Sequence, residues 1–195
     1  MNEAINLLKE IIAERRTVKP DTFNGEIIDD DLVRDLLAQA NWAPTHGYTE
    51  PWRFVVYKGE ALKRLGQFLA DFNQPDKQAD DFNAMRYERL ATRPALASHV
   101  IGIAMKPGSN PKIPEIEEVS AVSMAVQNIW LSAHAMGLAG YWSTGKMAFS
   151  EEFRKYMGFD DSHKPLGLFY LGKPGKENPK GRRISDIESK VRWED

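Results

Sequence analysis

The chain contains no cysteine. That removes disulfides, thiolate nucleophiles and thiolate metal ligands together, and it suits a reducing compartment, so a cytoplasmic location is expected. Long hydrophobic runs are missing as well. A membrane-spanning helix needs about 20 consecutive apolar residues, and even the apolar stretch 121–139 is interrupted by Gln127, Asn128 and His134. The N-terminus, MNEAINLLKEIIAERRT, intersperses charges with its apolar residues and lacks the unbroken core of a secretion signal. Neither charge sign dominates. With 26 basic and 28 acidic side chains and a formal charge of -2, nothing draws the whole chain to nucleic acid or an anionic membrane, and neither is expected as a partner. Any anion site must be local. The dinucleotide fingerprint G-x-G-x-x-G, the phosphate loop G-x-x-x-x-G-K-[ST] and the hydrolase elbow G-x-S-x-G do not occur. The four histidines show no ligand spacing such as H-E-x-x-H, so no metal is expected.

What is present is enough for one compact domain over 1–195. Ile5, Leu8, Ile11 and Ile12 recur at the steps of one helix face and predict a helix from 3 to about 15, followed by an extended segment over 16–22. Asp29 or Asp30 can cap a second helix reaching about Ala40 on the stripe Leu32, Val33, Leu36 and Leu37. Strands are predicted over 52–57, 97–105, 138–142 and 165–171. Helices are predicted over 59–72, 113–136 and 150–157, and a less marked one near 80–90. The polar stretch FNQPDKQADDF between them reads as a mobile excursion or lid. The pattern is that of a helix-rich α+β domain around one sheet. The tail GKPGKENPKGRRISDIESKVRWED has few core-like positions and is expected to embrace a second subunit.

Several groups stand out chemically. Arg15, Thr17 and Lys19 occupy alternate positions of an extended segment and so share a side, with Arg16 beside them. A guanidinium fork, a hydroxyl and an ammonium together suit a ligand carrying a phosphate and a second electron-rich region. The competing reading is a solvated basic helix end favoured by the helix dipole. Lys180, Arg182 and Arg183 form a second basic cluster, which either completes a phosphate clamp or is a solvated tail. In the loop APTHGYTEPW, His46 either contacts a ligand or caps a turn. Trp142, Ser143, Thr144 and Gly145 close the third strand with hydroxyls and main-chain N–H groups beside an aromatic. That turn suits a flat heterocycle, with core packing of Trp142 as the alternative.

In order and spacing, ERRTVK, APTHGYTEPWRFVV, GLAGYWSTG, and LGLFYLGKP followed by PKGRR resemble the FMN-dependent nitroreductase family, in particular its small bacterial NAD(P)H branch with APxH in the loop. The resemblance implies a sandwich with a central, mainly antiparallel sheet of four to five strands. It further implies a homodimer with FMN at the subunit interface and a domain-swapped arm over about 174–195. By position, Arg15 and Arg182 would hold the phosphate, supported by Lys180 and Arg16, while Thr17 and Lys19 approach the pyrimidine side. His46 would contact the flavin of the partner subunit. Trp142, Ser143, Thr144 and Gly145 would lie along the ring edge. Trp42 stands where some relatives have Arg. Glu50 replaces the Gln that many members carry before Pro-Trp, and an ionised carboxylate can only accept hydrogen bonds. Near an anionic flavin it must turn away or take up a proton.

The activity implied is a two-step exchange in which NADH or NADPH reduces FMN and a nitroaromatic, quinone or enone then takes the electrons. The flavin carries the chemistry, so no catalytic side chain is named. Two rivals keep the flavin: relatives with other reactions, such as dehalogenation or flavin cleavage, and a non-catalytic flavin-binding dimer. A third is a domain whose basic clusters are only surface.

Overall fold

The computed structural model describes residues 2–177 and 180–194. Asn2, Asp29, Asn83 and Ser150 each accept a hydrogen bond from a main-chain N–H of the turn that follows, satisfying donors that a helix start leaves open. They open α1 (Glu3–Glu14), α2 (Asp30–Ala40), α4 (Ala84–Thr92) and α6 (Glu151–Tyr156). Two further helices, α3 (Glu60–Asn73) and α5 (Glu115–Ala135), cover opposite faces of the sheet.

The strands are β1 (Trp52–Lys58), β2 (His99–Met105), β3 (Ala139–Ser143) and β4 (Lys164–Gly172). They pair in the order β1-β2-β4-β3, every neighbour antiparallel. This is the expected α+β sandwich, with four strands. Because side chains alternate across a strand, Ile101, Ile103, Phe169 and Leu171 face one layer, where α5 and α2 contribute Val122, Val126, Ile129 and Leu36. Val100, Ala104, Leu168 and Tyr170 face the other, against Leu62, Leu65 and Leu69 of α3 and Phe153 of α6. The central strands β2 and β4 are buried on both faces, so they read as continuous apolar runs.

A polar chain fastens α2 to the sheet. The Ile28 N–H donates to Ser98 Oγ at 2.7 Å, Ser98 Oγ lies 2.9 Å from His99 Nδ1, and His99 Nε2 lies 3.1 Å from Asp30, which also pairs with Lys58. The Lys58 hydrogen bond, then that of His99, holds the Asp30 carboxyl below its ordinary range.

Two elements differ from expectation. The stripe on α1 enters neither core layer: Ile5, Leu8 and Ile12 are 46%, 54% and 48% exposed. Both layers are filled without it, so its apolar face remains available. The polar stretch after α3 is not a free excursion. Gln74 Nε2 donates to the Asn83 carbonyl at 3.0 Å and Gln74 Oε1 accepts from the Asn83 N–H at 2.7 Å, closing the loop at its neck. Tyr87 Oη then donates to Asp71 at 2.5 Å.

Gly66 is where α4's C-terminal end meets α3. A Cβ there would lie 1.8 Å from the Ala91 carbonyl oxygen, a main-chain atom that cannot rotate aside. Gly66→Ala gains about 1 kcal/mol of helix propensity, yet overpacking of this kind costs about 1–3 kcal/mol, and a main-chain clash belongs at the upper end. A lower urea midpoint is the expected outcome; an unchanged or raised midpoint would show that the two helices separate freely.

Candidate cofactor-binding site

The site starts where α1 ends. Beyond Glu14 the chain runs extended, Thr17 bridges Gly140 in parallel, and the Val18 N–H donates to the Gly140 carbonyl at 3.0 Å. Buried Val18 and Pro20 anchor the segment. These contacts set ERRTVK and GYWS, remote in sequence, side by side along the β3 edge. Gly140 is itself closely packed: a Cβ would stand 2.4 Å from the Phe169 ring and 3.1 Å from Trp130.

Arg15 sits with its guanidinium carbon 4.4 Å from the centre of the Trp130 ring. Among the described residues, Arg15 Nη1 and Trp130 Nε1 are both buried donors without a hydrogen-bond partner. Burial, then the charges of Arg16 and Arg183, lower the Arg15 pKa. A guanidinium does not give up its proton in a protein, so this site is electrostatically unfavourable until an anion enters it.

The tail supplies part of that repulsion. Gly181 lies against Arg16 so tightly that a Cβ would fall 2.0 Å from the guanidinium, and Arg183 is near enough to act on Arg15. The two basic clusters, from opposite ends of the chain, thus meet. Arg16 Nη1 donates to the Ala13 and Arg15 carbonyls at 2.5 and 2.9 Å, with Glu14 at 3.7 Å from Nη2. Lys180 and Arg182 flank Gly181 on the exposed tail; Pro179 of PKGRR lies outside the described residues. Buried, unpartnered donors amid converging cations fit a phosphate dianion.

At the far end of β3, Trp142 packs on the α5-side core and its indole N–H donates to the Leu166 carbonyl at 3.2 Å. Ser143 and Gly145 instead line a cavity of about 120 Å³ with Asn73, Arg93, Lys146 and Tyr170, and Thr144 is exposed. Arg93 is the cation that reading the sequence missed. Its guanidinium lies 4.9 Å from the Tyr141 ring centre and 5.8 Å from that of Tyr170, and among the described residues its Nε is buried without a partner. The turn Arg93–Leu96 packs on the turn Pro20–Thr22, which follows Lys19 directly. Nothing local separates Arg93 from an ordinary helix-end arginine; only tertiary packing marks it.

Trp42 and His46 do not join this group within one chain. They precede β1, whereas Arg15–Lys19 runs along β3, and the sheet order puts β1 and β3 on opposite edges. Three interstrand spacings separate those edges by roughly 14 Å. His46 Nδ1 lies 2.6 Å from Glu117 of α5, and Trp42 is 83% exposed.

The nitroreductase family model matches residues 12–173. The chain belongs to the nitroreductase family. The match runs from the last turn of α1 past the end of β4 and leaves out the tail that carries Lys180 and Arg182. A Bacillus subtilis protein provisionally named NAD(P)H nitroreductase YfhC is 24% identical over 186 residues, spanning 95% of this chain and 93% of its own. The crystal structure of a nitroreductase-like family protein from Bacillus cereus shares the fold at a TM-score of 0.82 and 26% identity, with 95% of each chain covered. The FMN-dependent nitroreductase NfnB of Mycobacterium smegmatis, crystallised in complex with NADPH, shares it at 0.74 and 17% identity, covering 98% of this chain and 100% of that one. Among the described residues no helix is long and apolar enough to cross a membrane.

Proposed function

We propose that this nitroreductase-family chain is an FMN-dependent oxidoreductase that takes hydride from NADH or NADPH and passes electrons to a nitroaromatic, quinone or enone. The observation that carries the reading is the meeting of Arg15, Arg16 and Arg183 over two buried, unpartnered N–H donors. Arg15, Arg16, Lys180 and Arg182 hold the phosphate. Thr17 and Lys19, with Arg93 beside them, face the pyrimidine side, where a cation favours the negative charge that reduction brings. Ser143, Thr144 and Gly145 offer hydroxyls and main-chain donors to the ring edge, and Trp142 backs them.

Bound FMN supplies the hydride and electron chemistry. The chain's part is to anchor, orient and shield. No side chain at the site stands out as a dedicated acid or base, so protons come from solvent, and donor and acceptor use one slot in turn. Trp42 and His46 complete the site from a second copy. The unit is one domain over 1–195, with about 174–195 as an arm around that copy.

The test is the visible spectrum of the purified protein, followed by anaerobic addition of NADPH and then NADH. Flavin absorption that bleaches is the expected result, and the faster donor is the preferred one. Flavin that stays oxidised with both donors would make the chain a carrier. No absorption after added FMN would remove the flavin from the reading.

A further inference from the structure

The loop joining α2 to β1 contains a second, aromatic-walled pocket of about 470 Å³, whose lining includes Asn41, Trp42, Thr45, Tyr48, Glu50 and Trp52. Its backbone is strained at two residues other than glycine: Tyr48 has φ 55° and Glu50 has φ 43°. Such conformations persist only when the surroundings hold them, and they gather at ligand sites. Here the surroundings are identifiable. Trp52 Nε1 donates to Asn41 Oδ1 at 3.0 Å, and Thr45 Oγ1 accepts from the Glu50 N–H at 3.3 Å. The Thr49 hydroxyl lies 2.8 Å from that of Thr45 and donates to Glu118 Oε2 at 2.7 Å. Glu118 is buried, and its other oxygen accepts from the Gly108 N–H at 2.9 Å. The loop is thus braced from behind while Trp42 and Tyr48 stand 83% and 91% exposed.

The charge of the pocket has one sign. Among the described residues that line it, Glu50 alone is charged, and no hydrogen bond or ion pair from a described residue engages its carboxylate. Arg53, three residues on, donates to the main-chain carbonyls of Glu50 and Trp52 at 2.9 and 2.7 Å. A carboxylate only accepts, and aromatic faces attract cations, so Glu50 and the aromatic side chains select in the same direction.

We propose that this pocket binds a planar aromatic compound bearing a positive charge or an N–H donor, with Trp42 and Tyr48 against the ring and Glu50 on the donor. Resting on the function proposed above, in which a second copy brings this loop to the flavin site with the Glu50 carboxylate turned away from the flavin ring, the pocket makes amine-bearing or cationic aromatics the preferred electron acceptors and disfavours aromatic carboxylates.

The experiment is a tryptophan-fluorescence titration of the purified full chain with benzamidinium and, separately, benzoate. Benzamidinium should bind roughly tenfold or more tightly, the order expected of one partly exposed charge-assisted contact. Glu50→Gln should bring the two ligands within about twofold of each other, and Trp42→Ala should weaken benzamidinium about fivefold. Equal binding of both ligands by the unaltered protein, or a preference that survives Glu50→Gln, would overturn the assignment. The titration needs no flavin. A protein that never bleaches with NAD(P)H yet keeps the charge preference overturns the function proposed above and leaves the pocket standing. One that bleaches but shows no preference overturns the pocket alone. In turnover, 4-nitrobenzylammonium should exceed 4-nitrobenzoate in kcat/KM, and Glu50→Gln should remove the difference.

Discussion

A protein carrying Arg15→Ala and Arg182→Ala is expected to purify largely free of flavin. In the proposed site each substitution removes a charged donor from the phosphate, and a hydrogen bond to a charged group contributes about 1.5–3 kcal/mol. Two such losses amount to about 3–6 kcal/mol, a weakening of FMN affinity by about a hundredfold to ten-thousandfold. Arg15 carries the larger share, because it is half-buried over Trp130 whereas Arg182 lies on the exposed tail. The flavin-free proteins supply an independent check. Arg15 is held among like charges with Nη1 unpartnered by any described residue, so its removal relieves repulsion in the flavin-free protein. Arg15→Ala should therefore lose flavin without losing thermal stability when both proteins are compared flavin-free. Stoichiometric FMN in the double variant would sink the phosphate assignment. Loss of flavin accompanied by a lower flavin-free midpoint would instead make Arg15 a structural residue that stacks on Trp130.

Local sequence carried much of this architecture, since local chemistry decides it. Asp29 caps α2 because its carboxylate reaches the Asp31 N–H, and β2 shows as an apolar run because it is central. The extended segment after α1 follows from Pro20 and the side chains around it. The site was legible only in pieces. ERRT and PKGRR stood out as basic clusters, but their meeting depends on Gly181 passing over Arg16, a contact between the two ends of the chain. Arg93 could not be singled out, because its value lies in the Tyr141 and Tyr170 rings beneath it and in a buried, unpartnered Nε. Trp42 and His46 stand out as candidate site residues, yet sheet order puts them at the edge opposite their own chain's β3. The α1 stripe has the same origin. Its periodicity records a face to be covered, and periodicity does not say whether the cover comes from the same chain.

Removing residues after Lys173 should convert the protein to a monomer and strip it of flavin. The core should survive the cut, since β4 ends at Gly172 and both core layers are built from residues before it. What leaves is the Phe23–Pro174 bridge, the contact of Gly181 with Arg16, and a tail whose Ile184 and Trp193 are 99% and 81% exposed. Apolar side chains left in water have no stabilising role, whereas a stable association of two chains buries about 1,200–2,000 Å². The tail and the open stripe of α1 are the surfaces that can supply it. Light scattering reads the mass and the visible spectrum reads the flavin, so the two proposed functions of the tail can be separated. An unchanged dimer with bound flavin would show that the tail neither embraces a partner nor completes the phosphate site. A dimer without flavin would leave the tail only its cations. In that case Leu8→Asp, which places a charge in the α1 stripe, should dissociate the full-length protein, and a dimer that withstands Leu8→Asp as well would place the interface elsewhere.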